Sequence, residues 1–261
     1  MAKYERLTRL LELLGRRGRL SVEEAAAELG VSPATIRRDF DHLAGQQLLT
    51  RAHGGAVANG TAYQLPMRYR SARMTEEKVR IAARASALVP LGATVGLTGG
   101  TTTTEVARAL AERSDLGDAA RDPALTIVTN AVNIAGEMTV RPRIKTVVTG
   151  GVARPQSFEL IGPLALESLD ELHLDWAIIG VDGLDVQQGA TTAHEGEARV
   201  NRLLVDHAAR VVVVADASKL GRASFARICP LASIDVLVTD TDADQQVVAD
   251  LREHGVEVVL G

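Results

Sequence analysis

The sequence predicts an α/β protein in two parts: a small, mostly helical head over residues 1–57 and an α/β domain with a mostly parallel sheet over 76–261, joined by a linker at 58–75. Leucines recur at helical spacing near the N-terminus, whereas from residue 76 short apolar runs alternate with helical patterns. Residues 1–80 hold 14 basic and 9 acidic side chains, and residues 81–261 hold 15 and 24. A basic head on an acidic body is typical of two parts with different tasks.

The composition excludes several classes of protein. Of the 261 residues, 46% are apolar but only 3% aromatic, so small and β-branched side chains must fill a sizeable core. Cys229 is the only cysteine, which excludes an internal disulfide and a cysteine-based metal cluster. The apolar runs are too short to span a bilayer, and the N-terminus has no apolar signal core. We therefore expect a soluble cytoplasmic protein with no membrane partner.

The head begins with two helices and a tight turn. Ser21 and Glu24 form a capping box that starts the second helix, which runs to about Leu29, and Gly30 then turns the chain. Two short helices joined by such a turn form a helix-turn-helix. The first helix is predicted by four leucines that end at a turn over 15–18: Leu7, Leu10, Leu11 and Leu14.

The next helix is the one that offers side chains to a partner. Ser32 suits its N-cap and Pro33 its first position, where a missing N–H costs nothing. Arg37 and Arg38 lie off the apolar face, and with Thr35 they can reach a phosphate or a guanine edge. We therefore predict that this helix binds double-stranded DNA. Its apolar face consists of three residues at helical spacing: Ile36, Phe40 and Leu43.

A short strand at Leu48–Arg51 and a hairpin tip at 53–56 add a wing to the head. Dimerisation alone would be another role for the head, but dimer contacts do not require exposed paired arginines. The predicted DNA contacts are the exposed positions of the third helix and two wing residues: Ser32, Ala34, Thr35, Arg37, Arg38, Arg51 and His53.

The linker at 58–75 lacks periodicity and becomes helical towards Glu76, after which strands and helices alternate. This alternation predicts a mostly parallel sheet. The predicted strands are Thr94–Leu97, Thr126–Val128, Lys145–Val148, Trp176–Val181, Val211–Ala215, Val236–Val238 and Val256–Val259. The predicted helices between them include Glu77–Leu88, Thr103–Ala111, Val132–Met138, Glu197–His207 and Asp244–His254.

A loop of glycines and threonines follows the first of these strands. The glycines let the backbone approach an anion, and the N-terminus of the next helix supplies free N–H groups and a favourable dipole. The loop matches neither a dinucleotide nor a nucleoside triphosphate motif, so we predict a phosphate monoester as its ligand. An ordinary strand–turn–helix junction is the alternative. The predicted phosphate contacts are Gly99, Gly100, Thr101, Thr102 and Thr103.

Other strand ends also carry polar residues or glycines, and ligands of open α/β sheets collect at the carboxyl ends of strands. Asn130 and Asp182 suit sugar hydroxyls, and Lys219 suits an anion. Each also has a structural alternative, as a turn residue or a surface charge, and Glu197 could simply favour the dipole of its helix. The predicted sugar contacts are Asn130, Gly151, Asp182, Glu197 and Lys219.

Several catalytic signals are absent from the sequence. The six histidines show no metal-binding spacing, and no nucleophile-elbow motif occurs. We therefore expect no metal, no cofactor and no enzymatic activity.

Taken together, these residues resemble the DeoR family of bacterial transcription regulators over nearly the whole chain. The resemblance implies a winged helix-turn-helix that binds an operator and a C-terminal domain similar to ribose-5-phosphate isomerase that senses a phosphorylated sugar. The segments that carry it are Val31–Asp39, Arg51–Ala56, Gly100–Thr102, Thr129-Asn130, Gly150-Gly151, Asp182-Gly183 and Ala215–Lys219.

The same resemblance adds Lys78 as a phosphate contact from the helix before the loop. The sequence departs from the family at Thr98, where many members carry Asp, and at Met74, where Asn is usual. The isomerases also have a lysine at the start of a glycine-rich run, but residues 189–193 here contain none, so the isomerase chemistry looks lost.

Two functions of different classes are consistent with these patterns. The favoured one is a repressor of a sugar or carbohydrate catabolic operon, at least dimeric, whose effector is a phosphorylated sugar. The alternative is a sugar-phosphate isomerase or deaminase with an appended head, in which Asp182, Glu197 and Lys219 act as acid, base and anion clamp. The missing lysine and the complete DNA-binding head favour the repressor.

Overall fold

The computed structural model describes residues 3–46, 48–58, 75–120 and 122–261. The chain divides into two compact units, Met1–Arg73 and Met74–Gly261. Most of the predicted linker, including Met74, lies outside the described residues, so the predicted domain boundaries stay predictions.

The described residues of the N-terminal unit form three helices and a three-stranded antiparallel sheet. Its elements are α1 (Lys3–Arg17), β1 (Arg19–Ser21), α2 (Val22–Leu29), α3 (Pro33–Gly45), β2 (Leu49–Ala52) and β3 (Gly55–Ala58), and the sheet order is β1-β3-β2. The first helix continues through the predicted turn as far as Arg17. The leucine spacing did not predict this end, because the last leucine of the apolar face is Leu14. Strand β1 was not predicted, since three residues are too few to show alternation.

The predicted caps of the N-terminal unit are confirmed. Ser21 Oγ accepts a hydrogen bond from the Glu24 N–H at 3.1 Å, and the Glu24 carboxylate accepts one from the Ser21 N–H at 2.9 Å. Gly30 ends α2 in the left-handed conformation, with φ 64°. Ser32 caps α3 by accepting from the Thr35 N–H at 3.2 Å, with Pro33 at the first position.

A buried ion pair joins α3 to α1. Arg6 donates two hydrogen bonds to Asp39, Nε to Oδ2 at 2.6 Å and Nη2 to Oδ1 at 3.2 Å. The two side chains keep only 14% and 5% of their exposure, and the bond to Asp39 raises the pKa of Arg6. Asp39 thus fixes the orientation of the helix that carries the two arginines.

The C-terminal unit is built on a seven-stranded sheet. Its strands run in the order β15-β14-β12-β9-β4-β5-β6, and every pairing is parallel. All seven predicted strands occur in this sheet, with ends that differ by up to three residues. The strands are β4 (Thr94–Leu97), β5 (Leu125–Thr129), β6 (Ile144–Val148), β9 (Leu174–Gly180), β12 (Ala208–Val214), β14 (Val236–Thr239) and β15 (Glu257–Leu260).

Helices cover both faces of this sheet. On one face, Ile178 and Val212 pack with residues of the helices Thr75–Ala87, Thr101–Ala111 and Val132–Met138. On the other face, Ala177 and Val213 pack with residues of the helices Glu195–Asp206 and Gln245–Glu253. Neighbouring strand residues therefore point to opposite faces of the sheet. The predicted α/β fold with a mostly parallel sheet is confirmed. The helices are α4 (Thr75–Ala87), α5 (Thr101–Ala111), α6 (Val132–Met138), α7 (Pro163–Glu167), α8 (Glu195–Asp206) and α9 (Gln245–Glu253).

Five short strands form two smaller antiparallel sheets that were not predicted. The hairpin of β7 (Val152–Ala153) and β8 (Leu160–Ile161) is one, and the order β10-β11-β13 is the other. The second sheet consists of β10 (Gly183–Asp185), β11 (Gly189–Thr192) and β13 (Ala226–Cys229).

The Arg6–Asp39 pair leads to a stability prediction. Because Asp39→Ala leaves the Arg6 guanidinium largely buried without its hydrogen-bond acceptor, we expect a loss of roughly 1–3 kcal/mol in the unfolding free energy of the N-terminal unit. Urea denaturation of the full chain, followed by hydrogen exchange of the α1 and α3 amides, measures this loss. Asp41→Ala is the control, since the Asp41 side chain is 65% exposed in its pair with Arg51. Equal losses in the two variants would contradict the assignment.

Candidate functional site

The first candidate site is the outer face of α3. Ser32, Ala34, Arg37 and Arg38 are exposed, and Thr35 is half-buried. Arg37 lies 4.0 Å from Glu23, with both side chains more than half exposed, so this contact does not hold the guanidinium in place. The Ser32 and Thr35 hydroxyls are bonded to each other at 2.9 Å. The structure therefore presents the two arginines outward from a fixed helix, while DNA contact itself stays a prediction.

The wing residues are placed differently from one another. His53 is exposed at the turn between β2 and β3. Arg51 is held within the unit: it donates to the Gly55 carbonyl at 3.0 Å, pairs with Asp41 at 3.0 Å and lies over the Phe40 ring. A DNA backbone would have to compete with Asp41 for this guanidinium.

The second candidate site lies where the order of the parallel sheet reverses. From β4 the chain builds outward through β5 and β6, and then returns to the other side of β4 with β9, β12, β14 and β15. The carboxyl ends of β4 and β9 are therefore neighbours at a strand reversal, which is the position where open α/β sheets bind their ligands. The two ends touch, because the Gly180 N–H donates to Thr98 Oγ1 at 3.0 Å.

The threonine loop lies between β4 and α5. Gly100 is the N-cap of α5 with φ 132°, and no side chain caps it. The first intrahelical bond runs from the Thr104 N–H to the Gly100 carbonyl, so the N–H groups of Thr101, Thr102 and Thr103 precede the helical ladder. The Thr103 and Thr104 hydroxyls both donate to the Gly100 carbonyl. Thr103 is thus expected to offer its N–H, rather than its hydroxyl, to an anion.

The predicted phosphate contact Lys78 lies on α4, which packs against α5. Its side chain is largely buried, with the residue 5% exposed. A buried lysine side chain on the helix beside the loop is consistent with an anion contact.

One cluster contains three of the predicted sugar contacts: Asp182, Glu197 and Lys219. The sequence places them after two separate strands and near the start of a helix. Lys219 Nζ is 4.0 Å from Asp182 Oδ1. The Thr192 hydroxyl lies 3.1 Å from Asp182 Oδ2 and 3.2 Å from Glu197 Oε2, and the Ala193 N–H donates to Asp182 at 3.0 Å. The structure therefore brings these three predicted residues together.

Asn130 is fully buried at the end of β5. Its amide nitrogen lies 3.5 Å from Asn201 Oδ1 on α8, one turn after Glu197. Asn130 Oδ1 and Glu197 Oε1 are buried atoms that have no hydrogen-bond partner among the described residues, although Glu197 Oε1 lies 3.3 Å from Arg154 Nη1. Such atoms favour a ligand that donates hydroxyl groups.

The predicted sugar contact Gly151 has a structural reason to be glycine. Its φ is 127°, and a Cβ there would lie 2.8 Å from the Ile161 carbonyl oxygen of the β7–β8 hairpin. Contact between Gly151 and a sugar stays a prediction.

Four residues at this site were missed by the sequence reasoning: Arg154, Glu159, Thr192 and Asn201. Arg154 and Glu159 flank the hairpin loop between β7 and β8, and no periodicity marks such short strands. Glu159 is 3% exposed and accepts a hydrogen bond from the Gly99 N–H of the threonine loop at 2.7 Å. Thr192 ends β11, within the run where the missing lysine was noted. Asn201 could have been found, since it lies one helical turn after Glu197.

Two protein-family models match the chain, one in the N-terminal part and one in the C-terminal part. A family model described as a DeoR-like helix-turn-helix domain matches residues 6–62, and one described as a DeoR C terminal sensor domain matches residues 73–241. The "Glycerol-3-phosphate regulon repressor" of Escherichia coli K12 is 32% identical over 260 residues and is covered completely, as is this chain. The "HTH-type transcriptional regulator GlpR" of Haloferax volcanii is 36% identical over 262 residues, covering 100% of this chain and 99% of that protein.

Among solved structures, ribose 5-phosphate isomerase A from Methanocaldococcus jannaschii is 19% identical, with a TM-score of 0.40 over 56% of this chain and 54% of that chain.

Both sequence relatives are named as regulators of transcription, which agrees with the prediction that this chain is not an enzyme. None of the helices in the described ranges has the length and apolar character needed to cross a membrane.

The contact between Gly99 and Glu159 leads to a second prediction. A Cβ at Gly99 would lie 2.3 Å from Glu159 Cγ, so Gly99→Ala must push the loop and the hairpin apart. We expect a loss of roughly 1–3 kcal/mol in the unfolding free energy of the C-terminal unit, measured by urea denaturation. Gly117→Ala is the matched control, because a Cβ there meets no atom within 4 Å. An unchanged midpoint in Gly99→Ala would show that the two segments separate at no cost.

Proposed function

The chain belongs to the DeoR family of DNA-binding transcription regulators, and we propose that it represses a sugar or carbohydrate catabolic operon under the control of a phosphorylated sugar. The C-terminal domain binds the effector at the crevice between β4 and β9. The N-terminal domain binds the operator through α3. The protein acts in the cytoplasm as a homo-oligomer, at least a dimer, because two-fold operators require two reading helices.

The contact between the ends of β4 and β9 carries the proposal: the Gly180 N–H donates to Thr98 Oγ1, which precedes the threonine loop, and Gly180 lies two residues before Asp182. The N-terminus of α5 offers backbone N–H groups and the positive end of a helix dipole to a phosphate. The carboxylates of Asp182 and Glu197 offer acceptors to hydroxyl groups, and Lys219 adds a positive charge. A ligand that joins a phosphate to a hydroxyl-bearing carbon chain matches both halves of the crevice.

The name of one relative narrows the first ligands to test. The Escherichia coli protein is named for the glycerol-3-phosphate regulon, and it matches this chain from end to end. We therefore propose small phosphorylated polyols and sugars of three to six carbons as the candidate effectors, with glycerol 3-phosphate among them.

The DNA-binding half of the proposal depends on the fixed orientation of α3. Because the Arg6–Asp39 pair and the core contacts of Ile36 and Phe40 bury one face, Arg37 and Arg38 project from the other. In a major groove these arginines reach guanine edges or phosphates, and Ala34 is small enough to contact a thymine methyl group.

Control by an effector requires more than tight binding. The ligand must bind more tightly to the form of the protein with low operator affinity, since equal affinity for both forms shifts no population.

Substitution of the two arginines tests the DNA-binding half. Arg37→Ala and Arg38→Ala should each weaken operator binding by roughly 5- to 150-fold, because a bidentate arginine–guanine contact contributes roughly 1–3 kcal/mol. Fluorescence anisotropy with the promoter fragment upstream of the regulated operon measures the change. Arg9→Ala, which removes an exposed charge on α1, is the control for net charge. Wild-type affinity in both α3 variants would contradict the assignment.

A thermal-shift screen tests the effector half. Phosphate esters of three- to six-carbon polyols and sugars should raise the midpoint of the C-terminal domain, whereas the same compounds without phosphate should not. Thr101→Val should reduce the shift and Lys78→Met should abolish it, because each removes a donor beside the anion.

Thr126→Val is the control for the screen, since Thr126 is a half-buried threonine in β5, away from the carboxyl edge. A shift that persists unchanged in Lys78→Met and Thr101→Val would place the phosphate elsewhere. Turnover of any of these esters by the purified protein would overturn the regulator assignment.

A further inference from the structure

We infer that a groove beside α8 of the C-terminal unit binds a second copy of this chain, with Phe225 as the main apolar contact. The groove would then be the surface through which the copies of the proposed homo-oligomer meet, and on that oligomer this inference rests. Four features carry it: the groove, the exposed Phe225 at its rim, the balance of charges around it, and its place next to the effector cluster.

The groove lies between α7, α8 and β13 and has a volume of about 680 Å³. Arg202 on α8 connects two of its walls, because it donates to the Ile228 carbonyl at 2.7 Å and to the Arg227 carbonyl at 2.6 Å. The shape of the groove is therefore set by contacts within the C-terminal unit. The apolar part of its lining comes from all three elements: Leu166, Ala198, Leu203 and Ala226.

Phe225 stands at the rim of this groove. It directly precedes Ala226 of the groove lining, and it is 80% exposed. One residue earlier, the Ser224 N–H donates to Thr191 Oγ1 at 2.8 Å, which anchors the backbone that carries the ring. Little conformational freedom is then lost when a partner covers Phe225. Exposed aromatic side chains of this kind are typical anchors of protein interfaces.

The charges of the groove favour a second copy as its occupant. Residues 81–261 hold 15 basic and 24 acidic side chains, so two copies of the C-terminal unit repel each other through their net charge. The groove is an exception, because equal numbers of both signs can face an identical patch without net repulsion. Three acidic and three basic residues, all exposed, line it: Asp170, Glu195, Asp206, Arg199, Arg202 and Arg227.

Helix α8 separates the groove from the proposed effector cluster. Arg199 is exposed on the groove side, whereas Glu197 and Asn201 are buried. The segment from Lys219 to Phe225 likewise connects the cluster to the rim of the groove. A ligand that moves Glu197 or Lys219 therefore displaces groups that contact the second copy. Effector binding and assembly are coupled in both directions as a result.

Sedimentation velocity of the full chain over a concentration series tests the inference. Phe225→Ala should raise the dissociation constant of the oligomer by about tenfold or more, because the contact loses an aromatic anchor from both copies. Arg199→Glu should also raise it, and this effect should shrink at high salt, since the change alters exposed charges. Val140→Ala is the matched control and should match the wild type, because Val140 is 77% exposed and does not line the groove.

The possible outcomes separate this inference from the proposed function. If the wild type is oligomeric and both groove variants keep its dissociation constant, something other than a second copy covers the groove, and the inference is wrong while the homo-oligomer stands. If both variants lose the folded circular dichroism spectrum, the groove is needed within the single chain and the inference is again wrong. If the wild type is a monomer at every concentration, the proposed homo-oligomer itself is wrong.

Discussion

The reversal of strand order between β4 and β9 is the constraint on which the effector half of the molecule depends. Helices cover both faces of the parallel sheet, so polar side chains collect at the carboxyl ends of the strands. Adjacent loops leave in opposite directions at the reversal, where open α/β sheets bind their ligands. The threonine loop, Asp182 and Asn130 all follow strands near this point, so residues far apart in sequence lie at the same edge of the sheet.

The sequence predicted the large elements of the fold well, because a short stretch rich in apolar residues marks each of the seven strands and each long helix repeats its apolar face. The parallel topology then brought Asp182, Glu197 and Lys219 together, as their positions at strand ends and a helix start suggested. Sequence periodicity could not reveal the β7–β8 hairpin, whose strands have two residues each. The contact between Glu159 and Gly99, 60 positions apart, was therefore out of reach.

Three consecutive residues of α3 show how helical geometry assigns different tasks within one motif. Asp39 lies three positions after Ile36 and shares its buried face, whereas Arg37 and Arg38 fall outside that face. The sequence pattern predicted which way the arginines point. It did not reveal that Asp39 is buried against Arg6, because a carboxylate next to two arginines looks like their surface partner. A motif of charged residues thus combines an anchor with the contacts that the anchor orients.

The charges of the crevice limit what kind of ligand it can accept. Lys219 and Arg154 each face a carboxylate, so their charge is largely offset before any ligand arrives. For the proposed phosphate ligand, the N-terminus of α5 then becomes an important source of attraction. Inorganic phosphate would gain the attraction of the helix N-terminus but none of the hydroxyl contacts with Asp182 and Glu197. A free sugar would gain only the hydroxyl contacts. Only a ligand that combines both groups would gain from both sides of the strand reversal, which is the physical argument for the proposed selectivity towards sugar phosphates.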